Sequence, residues 1–389
     1  MDGPIVIVGG GVVGASVAWH LAARGWRDIV IVDRGAGPGE GSTGRATGGY
    51  RAQYGTAINV RLSLLAREKL RRFPDEVGAD PGYLPAGYLW VAGTEWELAE
   101  LRRGLAVQHA AGLLESREVD AAEVRELNPA LSPHGIAGGA WCPTDGFIRP
   151  LSMLAGYLAD ARRRGARTIW ETEVTGFERK GAPGAARIAA VQTTRGRIEA
   201  GAVVNAAGAW AAGVAALAGV PLPIEPLRRC IVPTMPCDLL PSGMPMTIFA
   251  GDGFHLRVRD GRVLLAWPTP GSASDAYDCR VESAWIDEVA AKAAARVPIL
   301  AGVPLDRSGA WGGLYEVSPD KHAILGPAPE CGNFYFINGS SGHGVMHAPA
   351  LGHLLAEIIT DGRATTLDAT PLRPSRFAEG EPNPVSGLL

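Results

Sequence analysis

The chain has 389 residues, 47% hydrophobic and 20% charged, with a formal net charge of −3; that length implies two domains or one with a large insertion, and the balance excludes a disordered chain. Its basic residues are scattered, the longest run being Arg162 to Arg164 before Gly165, so a solvated helix end is expected and no nucleic-acid partner. Cys142, Cys230, Cys237, Cys279 and Cys331 are odd in number and lack a Cys-x-x-Cys pair, which suggests neither a disulfide framework nor a zinc site and fits a reducing cytoplasm.

Pro4 to Val8, "PIVIV", is a continuous apolar run of the kind buried on both faces of a parallel sheet, reached without a basic, cleavable leader. It leads into "GGGVVGASVAWHLAARG", in which Gly9, Gly11 and Gly14 fit G-x-G-x-x-G ahead of a helix ending near Gly25, and "IVIVDR" then gives a second buried strand ending at Asp33. In that context Gly9 permits the tight turn, Gly11 lets backbone approach a pyrophosphate at the helix N-terminus, Gly14 allows close helix–strand packing, and Asp33 can accept from a ribose diol. A dinucleotide site follows, with FAD and NAD both open.

The next stretch, Gly41 to Gly55, reads "GSTGRATGGYRAQYG". It suits either a surface linker or a loop pressed against a flat ligand. Leu62, Leu65, Leu70 and Phe73 form an apolar stripe that predicts a helix over Ile58 to Phe73. "GYLPAGYLWVAG" and "GFHLRVRDGRVLLAWPT" show the alternation of hairpins, the second with an Asp-Gly turn. Val203 to Val220 is interrupted by Asn205 and rich in Ala and Gly, so it divides into a buried strand and a small-residue helix rather than a membrane span. Asn333 to Gly362 supplies a last strand, a second glycine-rich turn and a closing helix. His343 and His347 stand four apart there, but no third ligand is nearby and no metal is expected.

Together these blocks resemble the flavoprotein family of D-amino acid oxidase, glycine oxidase and sarcosine oxidase. The likeness rests on "IVIVGGGVVGASVAWHLAARG" with Asp33, "GSTGRATGGYRAQYG", "VVNAAGAWA", "GLYEVSPDKHAILGP" and "INGSSGHGVMHAPALG". Within the family the chain looks most like the β subunits of heteromeric sarcosine oxidase and dye-linked proline dehydrogenase. The resemblance implies an α/β fold, a Rossmann-type FAD-binding domain (1–82, 142–220 and 320–389) with a second α+β substrate domain on an antiparallel sheet (83–141 and 221–319). It implies non-covalent FAD and a small secondary or D-amino acid or amine substrate, such as sarcosine, proline or an N-methyl amino acid. Oxygen or another electron acceptor, and a homo- or hetero-oligomeric state, are left open.

Residue by residue, the resemblance places FAD on Gly9, Gly11, Val12, Val13, Gly14, Asp33 and Arg34, and on Ser42, Thr43 and Ala46 of the glycine loop. Arg45 fits either a pyrophosphate contact or a surface position. Val174, Ala207, Gly208 and Trp210 follow, then Gly313, and finally Gly342, His343, Gly344, Val345 and Met346 at the last helix. Arg51 matches an arginine that holds the substrate carboxylate, with a surface arginine as the bland alternative; Tyr315 matches a pocket tyrosine, with a structural role competing. Met346 and His255 stand where sarcosine oxidases have lysines, the second credited with activating oxygen, so a dehydrogenase or slow oxidase is implied. Gly44 and Gly48 replace a histidine and an arginine beside the flavin, and Gly313 replaces the cysteine that bonds to it. Trp267, Trp311, Tyr50 and Phe254 suit pocket wall or core equally. A hydroxy-acid oxidoreductase and a flavin-bearing subunit of a larger enzyme are the competing functions.

Overall fold

A computed structural model describes residues 3–181, 186–268 and 275–385. Ile5–Val8 and Ile29–Val32, both IVIV and buried throughout, pair in parallel as β-branched runs do when helices cover both faces of a sheet. They centre a six-stranded sheet that also takes in Arg167–Ile169, Ala202–Asn205 and Cys331–Asn338 in parallel, with Ile324–Ala328 antiparallel at one edge. The carboxyl ends of the central strands, at Val8, Val32, Asn205 and Asn338, open onto one crevice, where open α/β sheets bind ligands. On one face the helices Val12–Ala23 and Gly344–Asp361 touch at Gly352: a Cβ there would fall 2.3 Å from Ser16 Oγ, which itself donates to Ala348 O at 2.8 Å.

An eight-stranded sheet forms the second layer, in spatial order Trp311–Val317, Glu225–Pro233, Arg262–Ala266, His255–Arg259, Met246–Phe249, Tyr88–Ala92, Gly138–Cys142 and Arg117–Asp120. His255–Arg259 and Arg262–Ala266 are the hairpin predicted from its turn, with Asp260 and Gly261 both at positive φ. "GYLPAGYLWVAG" is not a hairpin. Tyr88–Ala92 pairs instead with Gly138–Cys142 and, in parallel, with Met246–Phe249, while Leu84 makes only an isolated bridge to Phe147; Pro85 cannot donate to a ladder, and the partners are distant in sequence. The helix expected over Ile58 to Phe73 extends over Ala57–Val77, Pro74 included, and stops at Gly78 in the left-handed conformation. Val203 to Val220 divides into the strand Ala202–Asn205 and the helix Ala211–Leu217. Among the described residues no helix is long and apolar enough to cross a membrane.

One face of this sheet packs Leu256, Val258, Val263 and Leu265 against the helix Ser283–Arg296. The other turns toward the glycine-rich loops. Register puts Trp311, Ile231, Ala266, His255, Ile248 and Trp90 in one row across it.

Candidate active site

The first helix begins at Gly11 with no side-chain cap of its own and no acid in its first turn, which leaves its positive end available to an anion. Gly9 and Gly14 are required by backbone crowding: a Cβ would lie 2.3 Å from Ala206 O at Gly9 and 2.0 Å from Gly9 O at Gly14. Gly11 differs, because its Cβ would meet only Thr43 Oγ1, at 3.3 Å. Val12 N–H donates to that hydroxyl at 3.1 Å, and Val13 packs beside the core. Asp33 Oδ2 accepts from Gly10 N–H at 2.6 Å and Oδ1 from Gly35 N–H at 2.7 Å, leaving each oxygen a lone pair for a hydroxyl donor.

The second arm of the crevice is aromatic and cationic. Arg34 lies 4.1 Å over the Trp210 ring and 4.9 Å over Tyr277, and Trp210 Nε1 is buried without a partner. Ala207 N–H donates to Asn205 Oδ1, Gly208 has φ +58°, and Val174 is core beneath this arm. A buried polar atom without a partner, such as Trp210 Nε1, demands a ligand or water. A further polar group, Asn338, Ser340 and Glu316, lies where the last strand ends. Burial pushes the Glu316 carboxyl up to about 7, against the backbone N–H donors of Ser340 and Gly339 and the side chains of Ser340 and Asn338.

The loop at Ser42 to Gly49 lies against the second sheet. Ser42 Oγ donates to Leu314 O at 2.7 Å, Arg45 Nη1 to Gly312 O at 2.9 Å, and Trp311 Nε1 to Arg45 O at 2.8 Å. Arg257 donates to Thr47 O and Gly48 O, and Arg259 to Ala46 O. Gly44 and Gly48 are dictated by this path: a Cβ would sit 2.1 Å from Gly39 O and 2.4 Å from Ile148 O. Gly313 faces Arg45 Cβ at 3.3 Å.

Arg51 leads from this loop into the cleft. It is buried, donates from Nη1 to Gln53 O at 3.0 Å, and lies 4.2 Å over the Tyr54 ring and 5.3 Å from that of Trp90. Its Nη2 is 3.4 Å from His343 Nε2; a guanidinium only donates, so Nε2 accepts. Asp145 braces the segment, accepting from Ala52 N–H at 2.8 Å and from the Gln53 side chain at 3.3 Å, and burial pushes its carboxyl up to about 7.

Tyr315 presents 37% of its surface to the cleft, its ring against Gly342. Enclosure by the surrounding walls raises its pKa, and the charges of Arg229 and Arg51 oppose that rise. His255 Nδ1 is 2.8 Å from Gly253 O; a carbonyl only accepts, so Nδ1 carries the proton. Desolvation, then the charges of Arg51 and Arg229, lower its pKa, so at neutral pH Nε2 holds a lone pair. The closing helix starts at Gly344 with His343 as N-cap, and Val345 packs at the core edge. Met346 is buried, its Sδ accepting from Tyr54 OH at 3.1 Å. His347 meets Ser63 Oγ at 2.8 Å, and burial lowers its pKa to about 3.

Of the four aromatics left between wall and core, Tyr50 and Phe254 are fully buried core, and Trp267 stacks with Lys292 on the far side of the sheet. Only Trp311 faces the site, through its bond to Arg45. Sequence reasoning missed Tyr54 and Trp90 around Arg51, Trp170 against Gly10 and Asp33, Arg229, and the Asn338–Ser340–Glu316 group. Tyr54, Trp90, Glu316, Asn338 and Ser340 sit in blocks quoted above, while Trp170 and Arg229 carry no local motif.

A helix end open to an anion, an acid at the second strand, and a cationic cleft roofed by a mostly antiparallel sheet are the features of a dinucleotide-dependent oxidoreductase. Residues 4–358 match the DAO family of FAD dependent oxidoreductases, and the chain belongs to that family. It is 31% identical to FAD-dependent oxidoreductase domain-containing protein 1 of Bos taurus, across 97% of this chain and 85% of that protein. It is 29% identical to glycine oxidase of Geobacillus kaustophilus, across 96% of both. The crystal structure of L-proline dehydrogenase from P. horikoshii superposes with a TM-score of 0.89 at 30% identity, covering 98% of this chain and 99% of that one. The cofactor is therefore FAD, and the open backbone at Gly11, the two oxygens of Asp33 and the unpartnered Nε1 of Trp210 fit it.

Proposed function

We propose that this enzyme oxidises the carbon–nitrogen bond of a small secondary or D-amino acid, of the sarcosine, proline or N-methyl type. The observation that carries the reading is Arg51: a buried guanidinium with no carboxylate within ion-pair distance among the described residues, held by Gln53 O and His343 over the Tyr54 ring. A buried cation needs an anion, and a guanidinium fork matches a carboxylate with two parallel bonds. Relatives named glycine oxidase and L-proline dehydrogenase support an amino acid as the source of that carboxylate.

FAD, when bound, would supply a two-electron acceptor for the hydride of the carbon bearing nitrogen; the neutral amine would become an iminium ion, and the imine on release of its remaining N–H proton to solvent. In this proposal the chain's own residues prepare that event. Arg51 fixes the carboxylate, Tyr315 OH donates to it from the cleft wall, and the lone pair of His255 Nε2 receives the ammonium proton before reaction. The N-terminus of Gly344–Asp361 would offer N–H groups and a positive dipole end to negative charge on the reduced cofactor. Met346, a thioether hydrogen-bonded to Tyr54, adds no cation beside the reduced cofactor, which supports a dehydrogenase or slow oxidase. Gly313 offers no nucleophile, which supports dissociable FAD.

The test is Arg51→Met. Acetate and propionate, as inert carboxylates, are titrated against the visible spectrum of the bound flavin. The variant is expected to retain FAD and lose the carboxylate-induced perturbation; an unchanged dissociation constant would remove Arg51 from this role.

A further inference from the structure

The cleft holds a second arginine without an acid. Arg229 lies on Glu225–Pro233, directly opposite Gly313 on Trp311–Val317, with Leu227 opposite Tyr315 and Ile231 opposite Trp311. Residues two apart on a strand share a face, as do directly opposed residues, so Arg229, Gly313, Tyr315 and Trp311 point the same way. That way is toward the cofactor loop: a Cβ on Gly313 would approach Arg45, Trp311 donates to Arg45 O, and the Tyr315 ring rests on Gly342. Glycine opposite Arg229 leaves the space over the ladder clear, and the guanidinium leans into it, 5.8 Å from the Tyr315 ring.

The other cations of this face are committed. Arg257 holds Thr47 O and Gly48 O, and Arg259 holds Ala46 O beside Asp260. Arg228, one residue back and turned to the opposite face, pairs with Asp278. Arg229 is half-buried and, among the described residues, donates only to the carbonyl of Arg228, at 3.2 Å. Among the described residues no carboxylate is within ion-pair distance of it. Glu316, the nearest acid in sequence to Tyr315, alternates to the other face, where Ser340 N–H meets it. Arg229 and Arg51 thus both act electrostatically on Tyr315 and His255, with no acid between them.

We propose that Arg229 is a specificity-determining residue that receives a second carboxylate of the substrate, so that the preferred substrate is an amino acid with one carboxylate on Arg51 and another, on its side chain or N-substituent, at Arg229. This rests on the amine-oxidation reading above and narrows it. A buried and a half-buried guanidinium left without acids would repel and remain poorly solvated; a dicarboxylate neutralises both. A charge-assisted contact of this kind is worth about 10–100-fold in affinity.

The experiment titrates the holoenzyme, wild type and Arg229→Gln and Arg229→Lys, with iminodiacetate, L- and D-glutamate, sarcosine and proline, following perturbation of the flavin spectrum for Kd and anaerobic reduction for rate. Wild type is expected to bind a dicarboxylate at least about 10-fold more tightly than its monocarboxylate counterpart. That ratio should collapse in Arg229→Gln and be partly restored in Arg229→Lys, which keeps the charge and loses the fork. Equal weakening of both classes in Arg229→Gln, or a ratio near one in wild type, overturns the proposal. Loss of bound flavin from both Arg229 variants would overturn it too, by giving the residue to the cofactor. Failure of every amino acid to perturb or reduce the wild-type flavin would instead refute the amine-oxidation reading itself, and this inference with it.

Discussion

Gly11 and Gly14 are three residues apart in one motif, yet the structure predicts opposite consequences for adding a methyl group to each. At Gly14 the new Cβ would sit 2.0 Å from Gly9 O and 3.3 Å from Ile7 Cγ2. Both partners belong to the first strand and its turn, so the helix Val12–Ala23 must move bodily off the sheet. Overpacking of this kind costs about 1–3 kcal/mol or more, and Gly14→Ala should lower the stability of the apoprotein and of the holoenzyme alike. At Gly11 the backbone has φ −71° and ψ 177°, which alanine adopts freely, and its nearest neighbour is Thr43 Oγ1 at 3.3 Å. Apoprotein stability should therefore change by less than about 1 kcal/mol, the entropy removed from the unfolded chain offsetting a weaker N-cap. The methyl group instead occupies the approach of the pyrophosphate. Loss of one charge-assisted bond to it weakens FAD binding by about 1.5–3 kcal/mol, roughly 10–150-fold. Thermal denaturation of the apoproteins, paired with fluorescence titration by FAD, separates the two effects. Wild-type FAD affinity in Gly11→Ala, or an apoprotein destabilised as much as Gly14→Ala, would refute the assignment of the helix end to the phosphates.

Arg376 and Asp320 are both fully buried and joined by two bonds of 2.8 and 2.9 Å. Arg376→Ala strands the carboxylate and should destabilise the protein by about 3–5 kcal/mol in chemical denaturation, and the double variant Arg376→Ala/Asp320→Ala should lose less than the sum of the two single variants. Burial tends to raise the Asp320 pKa, but the bonds from Arg376 and Asn383 overcome it and hold the carboxyl well below its usual range. A depressed folded-state pKa contributes stability that is full above the unfolded value and lost as pH falls below about 4. Wild type should lose this contribution on acidification and Arg376→Ala should not, as read from denaturation midpoints between pH 6 and 3. Because Gly313 provides no thiolate, acid precipitation should release all the yellow colour into the supernatant; colour retained on the pellet would contradict dissociable FAD.

What could be read from the chain and what could not divide by range. The turn at Gly9 to Gly14 and the hairpin over His255 to Ala266 are specified by residues a few positions apart, and their chemistry is visible locally. Arg51 was marked by the block around it, although its stacking on Tyr54 and Trp90 was not, since Trp90 arrives on a strand whose partners, Gly138–Cys142 and Met246–Phe249, are remote. The same distance hid the "GYLPAGYLWVAG" error: alternation signals a strand without naming its neighbour. Arg229 is an ordinary polar residue of an edgeward strand until register sets it opposite Gly313, and Asn338, Ser340 and Glu316 become a group only when the last strand meets Trp311–Val317. Departures from family pattern at Gly44 and Gly48 have a backbone cause that no sequence comparison exposes, because each Cα lies against a carbonyl oxygen from another turn.

The central claim is that a carboxylate held at Arg51 presents a carbon–nitrogen bond to the flavin. Anaerobic mixing of the holoenzyme with sarcosine, L- and D-proline, glycine, D-alanine, iminodiacetate, L- and D-glutamate and matched hydroxy acids, read as bleaching of the visible flavin band and followed by admission of air, tests it most directly. The account predicts bleaching by one or more amino acids, none by the hydroxy acids, and slow return of colour in air. Bleaching by a hydroxy acid alone, or by no compound in the panel, would contradict it.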